Sequence, residues 1–172
     1  MTGPQILVRE TAEERKKYLA PAPEFGWYLL GLAGAVFALV GLFDIALTWY
    51  PANFDSPEFQ FASYSQSLNF MPLPALGLLL MLAGGIARGI RWIPKFVAGV
   101  LIVLTALILA LAVFWALSAA EGLNAVKDPV VLRGLKKAIA KTALQAVAYP
   151  LAFVTVSVKA WRHSTAMTKS VP

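Results

Sequence analysis

The chain contains no cysteine and a single histidine, His163, and only 14% of its 172 residues are charged, against about 25% in an ordinary soluble protein. The first absence removes disulfides, thiolate metal sites and cysteine nucleophiles. The second removes any multi-histidine metal or haem arrangement built by one chain. No P-loop, dinucleotide fingerprint, zinc-protease helix or nucleophile elbow occurs, and the glycines fall on apolar stretches. In place of polar chemistry, 59% of the residues are hydrophobic and the mean hydropathy is +0.68. Such a composition excludes a soluble enzyme domain and a disordered tail, and leaves an integral membrane protein. The net charge of +6 then reads as topology and headgroup contact, with membrane lipids as partners and no nucleic acid.

Four apolar runs are long enough to consider as spans. Phe25 to Tyr50 (25–50) is bracketed by Trp27 and Tyr28 at one end and Trp49 and Tyr50 at the other, the aromatic belts of a crossing helix. It lacks the charge pattern and cleavage site of a signal peptide and is expected to be a retained anchor. Met71 to Ala87 (71–87) starts on Pro72 and Pro74, stops at Arg88, and is the shortest run. Phe96 to Ser118 (96–118) is almost wholly Leu, Ile, Val and Ala. Ala138 to Trp161 (138–161) contains Lys141, Gln145 and Pro150. Asp128 and Pro129 form an N-cap and first-turn pair, so this fourth helix is expected to start near Pro129 and stand partly outside the bilayer as a basic stem. The alternative is a break near Lys141, with the stem lying flat on the membrane. The fold expected is all-α: one four-helix integral membrane bundle over 25–161. A polar segment, 1–24, precedes it, with a short helix over Ala12 to Ala20 capped by Thr11 and Glu14, and a tail, 162–172, follows.

Lysine and arginine set the orientation. With both termini and the 88–95 loop inside, ten positive residues lie inside and five outside, which favours N-in and C-in in a bacterial inner membrane.

Asp44 is the only carboxylate within the first three spans, and an ionisable group in hydrocarbon is a site hypothesis by default. Lys141 and Gln145 lie at a comparable depth on the fourth span, so an intramembrane pairing of Asp44 with Lys141 or Gln145 is expected. It is read either as structural glue or as the polar site of a small transporter. Gly31, Gly34, Ala38 and Gly41 form a stripe of small residues along the first span, which suits close helix packing, on the fourth span of the same chain or on another subunit. His163 at the end of the fourth span could contact a haem or pigment in an assembly, but reads better as a solvated headgroup residue. No cofactor and no metal are expected.

The Pro51 to Phe70 loop has no Lys or Arg and carries Phe54, Phe59, Phe61, Tyr64 and Phe70 with Asp55 and Glu58. Ser56, Pro57 and Glu58 predict the start of a short interfacial helix. Its aromatic residues either cap the bundle or, with Phe54, Glu58, Phe59, Phe61 and Tyr64 as the contact set, dock a partner. The run Tyr50-Pro51-Ala52-Asn53-Phe54 followed by Ser56-Pro57-Glu58-Phe59-x-Phe61 resembles a segment of small bacterial four-helix membrane proteins. The resemblance extends from the first span to the Tyr149-Pro150 region. It implies the fold and no catalytic role. The expected function is a non-catalytic accessory or assembly subunit of a larger bacterial membrane complex, with an energy-transducing (respiratory or photosynthetic) assembly as a candidate host. The alternative is a transporter or channel using Asp44, Lys141 and Gln145.

Overall fold

A computed structural model describes residues 24–169, and every regular element among them is an α-helix. The expected helix at Ala12 to Ala20 lies outside the described residues. Helix α1 is Glu24–Leu47, α2 is Pro57–Phe70, α3 is Pro72–Ala87, α4 is Trp92–Ala125 and α5 is Pro129–Lys169. Four membrane-spanning candidates result, because α2 and α3 together form one stretch, Pro57–Ala87, of 31 residues. The chain is a four-helix bundle of the class expected.

Local chemistry explains each boundary. Ser56 caps α2 by accepting from Phe59 N at 3.2 Å, and its own hydroxyl donates to the Glu58 carboxylate at 2.8 Å. At Met71 the hydrogen-bond ladder is interrupted while the backbone stays helical, since neither Pro72 nor Pro74 has an N–H to give to it. The chain resumes within one residue, as Ala75 N donates to Met71 O at 3.1 Å. The second span is therefore longer than the 71–87 run, and the helix before it is part of the bundle. α3 ends in a Schellman turn: Gly89 has φ +66° and donates to Ile86 O at 3.0 Å, and Ile90 N donates to Gly85 O at 2.9 Å. Asp128 starts α5 by accepting from Val130 N at 2.7 Å and Val131 N at 3.3 Å. α5 then runs through Lys141 and Pro150 without a break, so the continuous stem is the one that forms.

α1 lies along α3, α4 lies along α5, and α2 packs on α4 while touching α1 and α5. Leu78, Val97, Leu101, Tyr64, Leu68 and Phe153 form the centre of the core. The helices are flush at one end. There Gly84 meets the backbone of Trp27 and Gly31, and Ser164 Oγ donates to Arg91 O at 3.1 Å. Their unequal lengths appear at the other end. At about 1.5 Å per residue α1 is about 36 Å long, α4 about 51 Å and α5 about 61 Å, against about 30 Å of hydrocarbon. The first turns of α2, the last turns of α4 and the first turns of α5 accordingly project beyond the end of α1.

Candidate functional site

The small residues of α1 are brought to another helix, and that helix is α3. A β-carbon placed on Gly34 would lie 2.6 Å from Gly77 O and 2.6 Å from Met81 N, distances at which the α3 backbone would have to move. One on Gly41 would strike Pro74, one on Gly77 would strike the Ala38 backbone, and one on Gly84 would lie 2.9 Å from Trp27 O. The seam is thus backbone against backbone along its length, with Ala38 buried in it. The expectation that the fourth span or another subunit receives this stripe is corrected: α3 answers it with Pro74, Gly77 and Gly84, a set that was not singled out in the sequence. The seven-residue spacing of Gly77 and Gly84, two helical turns, was the available signal.

Asp44, Lys141 and Gln145 are not brought together. Asp44 is half-buried on the flank of the seam, three residues from the end of α1, and its carboxylate has no hydrogen-bond or ion-pair partner among the described residues. Lys141 is exposed on α5, and Gln145 donates to Asn69 of α2 at 3.4 Å. The reason is that α2 stands between the two helices. On one side Ser63 Oγ donates to Thr48 O at 3.0 Å, and Ser67 Oγ accepts from Trp49 Nε1 at 2.9 Å. On the other side Thr142 of α5 donates to Ser65 at 3.2 Å. Those contacts put Lys141 at the level where α1 ends, from which a long side chain can reach toward the projecting end.

Most of the loop aromatics point inward. Tyr64 is 2% exposed, its ring lies 5.7 Å from that of Trp115, and its hydroxyl donates to Ile108 O at 3.1 Å. Phe61 stacks on Trp115 at 6.1 Å. Phe59 meets Trp49 and Phe54 edge-on at 6.1 and 6.3 Å. These three side chains hold α2 to its neighbours, and the contact set for a partner loses its centre, Tyr64, to the core. Phe54 and Glu58 remain exposed. Trp115, the hub of the aromatic cluster, was not anticipated either. It stands out in the sequence only as a Trp inside a run of Ala, Val and Leu. Its indole Nε1 is buried without a partner among the described residues.

Between these clusters the surface opens. A cleft of about 310 Å³ is lined by Trp49, Phe54, Gln60, Leu111, Phe114 and Trp115. Phe114, in its wall, is 56% exposed, and Leu117, further along α4, is 61% exposed. A second cleft of about 350 Å³ lies higher on the projecting end, between Glu58 and Phe61 of α2, Ser118 and Glu121 of α4, and Leu135 of α5. Ser118 Oγ donates to Gln60 Oε1 at 3.1 Å between the two. No group of three His, Cys, Asp or Glu side chains that could hold a metal occurs among the described residues, and His163 is exposed at the flush end. Comparison of the chain with protein-family models, with curated proteins and with solved structures gives no match.

Proposed function

We propose that the chain is a non-catalytic accessory or assembly subunit of a larger complex in a bacterial inner membrane. In this reading it is N-in and C-in, so the projecting ends of α2, α4 and α5 face outward. The observation that carries the proposal is the apolar surface of the projecting end. Phe54 and Phe114 line the 310 Å³ cleft just past the end of α1, and Leu117 on α4 and Val130 on the stem are 61% and 75% exposed. An apolar surface that outlasts the hydrocarbon needs a cover, and a neighbouring subunit supplies one. The basic stem of Arg133, Lys136, Lys137 and Lys141 on the same projecting end adds a charge pattern that selects an acidic partner. An energy-transducing assembly, respiratory or photosynthetic, is the host class proposed.

Gentle purification from native membranes, followed by mass spectrometry, tests this reading. Stoichiometric partners are expected with the wild type and are lost with Phe114→Glu and Leu117→Glu, both at exposed positions that leave the fold intact. A homo-oligomer without other subunits in both cases counts against it. The second reading, a small transporter or channel, is favoured by one observation, the half-buried Asp44 without a partner among the described residues. It predicts carboxylate labelling of Asp44 that responds to a pH gradient, and an inert Asp44 removes it.

A further inference from the structure

At the flush end, opposite the clefts described above, α1, α3 and the start of α4 enclose a groove of about 220 Å³. Its walls are apolar: Leu32 of α1, Met81 of α3 and Ile93 of α4 line it. Glycine makes the room. A β-carbon on Gly31 would meet nothing within 4 Å, so the space beside that residue is open, while Gly84 and Gly85 keep the floor low by packing directly on Trp27 and Ile93.

The rim is polar and cationic. The Arg88 guanidinium lies 5.2 Å from the centre of the Tyr28 ring, held there as a cation over an aromatic face. Trp27 and Trp92 complete the rim, and Arg91 and Lys95 are exposed close by in the chain. Among the described residues the acids Asp44, Asp55, Glu58, Glu121 and Asp128 all belong to the other end of the molecule, and at this end α1 contributes Glu24, its first residue. An arginine fork above an apolar slot, at the depth where Trp and Tyr mark the headgroup layer, matches a phosphate with an acyl chain beneath it.

We propose that this groove is a binding site for one anionic phospholipid. Arg88 takes the phosphate, Arg91 and Lys95 add to the attractive field, and the first part of one acyl chain lies along Gly31 in the groove over the α1–α3 contact. The same cationic pocket between helices that selects the headgroup also sits on the seam, so the lipid would brace the α1–α3 contact.

The test uses the full chain in detergent, with native mass spectrometry of retained lipid and titration with phosphatidylglycerol against phosphatidylcholine. Wild type is expected to retain phosphatidylglycerol in preference. Arg88→Gln weakens that binding by about fivefold and leaves phosphatidylcholine unchanged. Gly31→Leu, which fills the open slot, weakens long-chain phosphatidylglycerol binding, and Lys159→Gln, a cation on another helix, does not. Equal binding of the two lipids overturns the proposal, and so does phosphatidylglycerol binding that neither Arg88→Gln nor Gly31→Leu affects. Inorganic phosphate that displaces the lipid at millimolar concentration also overturns it, marking a free-anion site instead. Arg88 is exposed, so its variant folds and carries the test even if Gly31→Leu does not.

Discussion

The α1–α3 seam and the α2–α4–α5 half hold together by different means. Along the seam the side chains are hydrogen atoms, methyls and a proline ring, and the attraction is close backbone contact between Gly34, Ala38 and Gly41 on one side and Pro74, Gly77 and Gly84 on the other. In the other half α2 is tied by hydroxyls, amides and aromatic rings: Ser63, Ser67 and Trp49 toward α1, Ser65 and Thr142 toward α5, Tyr64 and Trp115 toward α4. The first device suits hydrocarbon, where apolar side chains gain nothing by leaving lipid and tight packing must provide the contact. The second suits the rim and the water beyond it, where exposed backbone and polar side chains need partners and apolar burial again has a driving force. A single helical stretch, α2 followed by α3, passes from one regime to the other at Met71, and its composition changes there from Ser, Gln and aromatic to Leu, Gly and Ala.

The sharpest way to break the comparison is to add atoms to the seam. Gly77→Val and Gly34→Val push a side chain into backbone rather than into a flexible neighbour. Each is expected to lower stability by about 3 kcal/mol, read as the midpoint of unfolding in mixed micelles. Gly99→Ala, where a β-carbon would meet nothing within 4 Å, serves as the control and is expected to leave stability unchanged or raise it by up to about 1 kcal/mol. If all three glycine variants melt alike, the seam is not what joins α1 to the bundle.

In the polar half, removal matters more than addition. Tyr64→Ala empties a fully enclosed site and is expected to cost about 3 to 5 kcal/mol, whereas Tyr64→Phe removes only the bond to Ile108 O and costs about 1 kcal/mol. Ser67→Ala leaves Trp49 Nε1 without its acceptor, with an expected loss of about 1 to 2 kcal/mol in the same assay. A Tyr64→Phe variant as unstable as Tyr64→Ala would mean that the hydroxyl, and not the ring, dominates.

The smallest effects are expected at Asp44 and Lys141. With α2 between them, a double-mutant cycle of Asp44→Asn and Lys141→Gln is expected to give a coupling energy below about 0.5 kcal/mol. A coupling of about 2 kcal/mol would restore the ion pair that the geometry separates. Asp44→Leu, which removes a half-buried carboxylate lacking a partner among the described residues, is expected to leave stability unchanged or to raise it.

Much of this architecture can be read from residue order. The four apolar stretches, the cap at Ser56, the start of α5 at Asp128 and Pro129, and the small-residue stripe on α1 are local patterns, and each is found where its pattern lies. The helix that starts at Ser56 is legible too, but its continuation into the 71–87 run as one 31-residue stretch, and the partners its serines find on α1 and α5, are not. Helix partners were less legible still. Periodicity states which face of α1 is narrow and not which neighbour is narrow enough to meet it, and similar distances from the span ends do not reveal that α2 stands between Asp44 and Lys141.

The sequence alone determined that this protein is helical, that it enters a membrane, and where α2 and α5 begin, because capping, proline geometry and hydropathy act within a few residues of the chain; α4, expected over 96–118, runs over Trp92–Ala125. Tertiary structure decided which glycines touch, which aromatic residues belong to the core and which charges remain alone. Those outcomes depend on distances between helices far apart in the chain. In a bundle of similar apolar cylinders, the pairing is selected by the fit of whole surfaces, which no single stretch of residues contains.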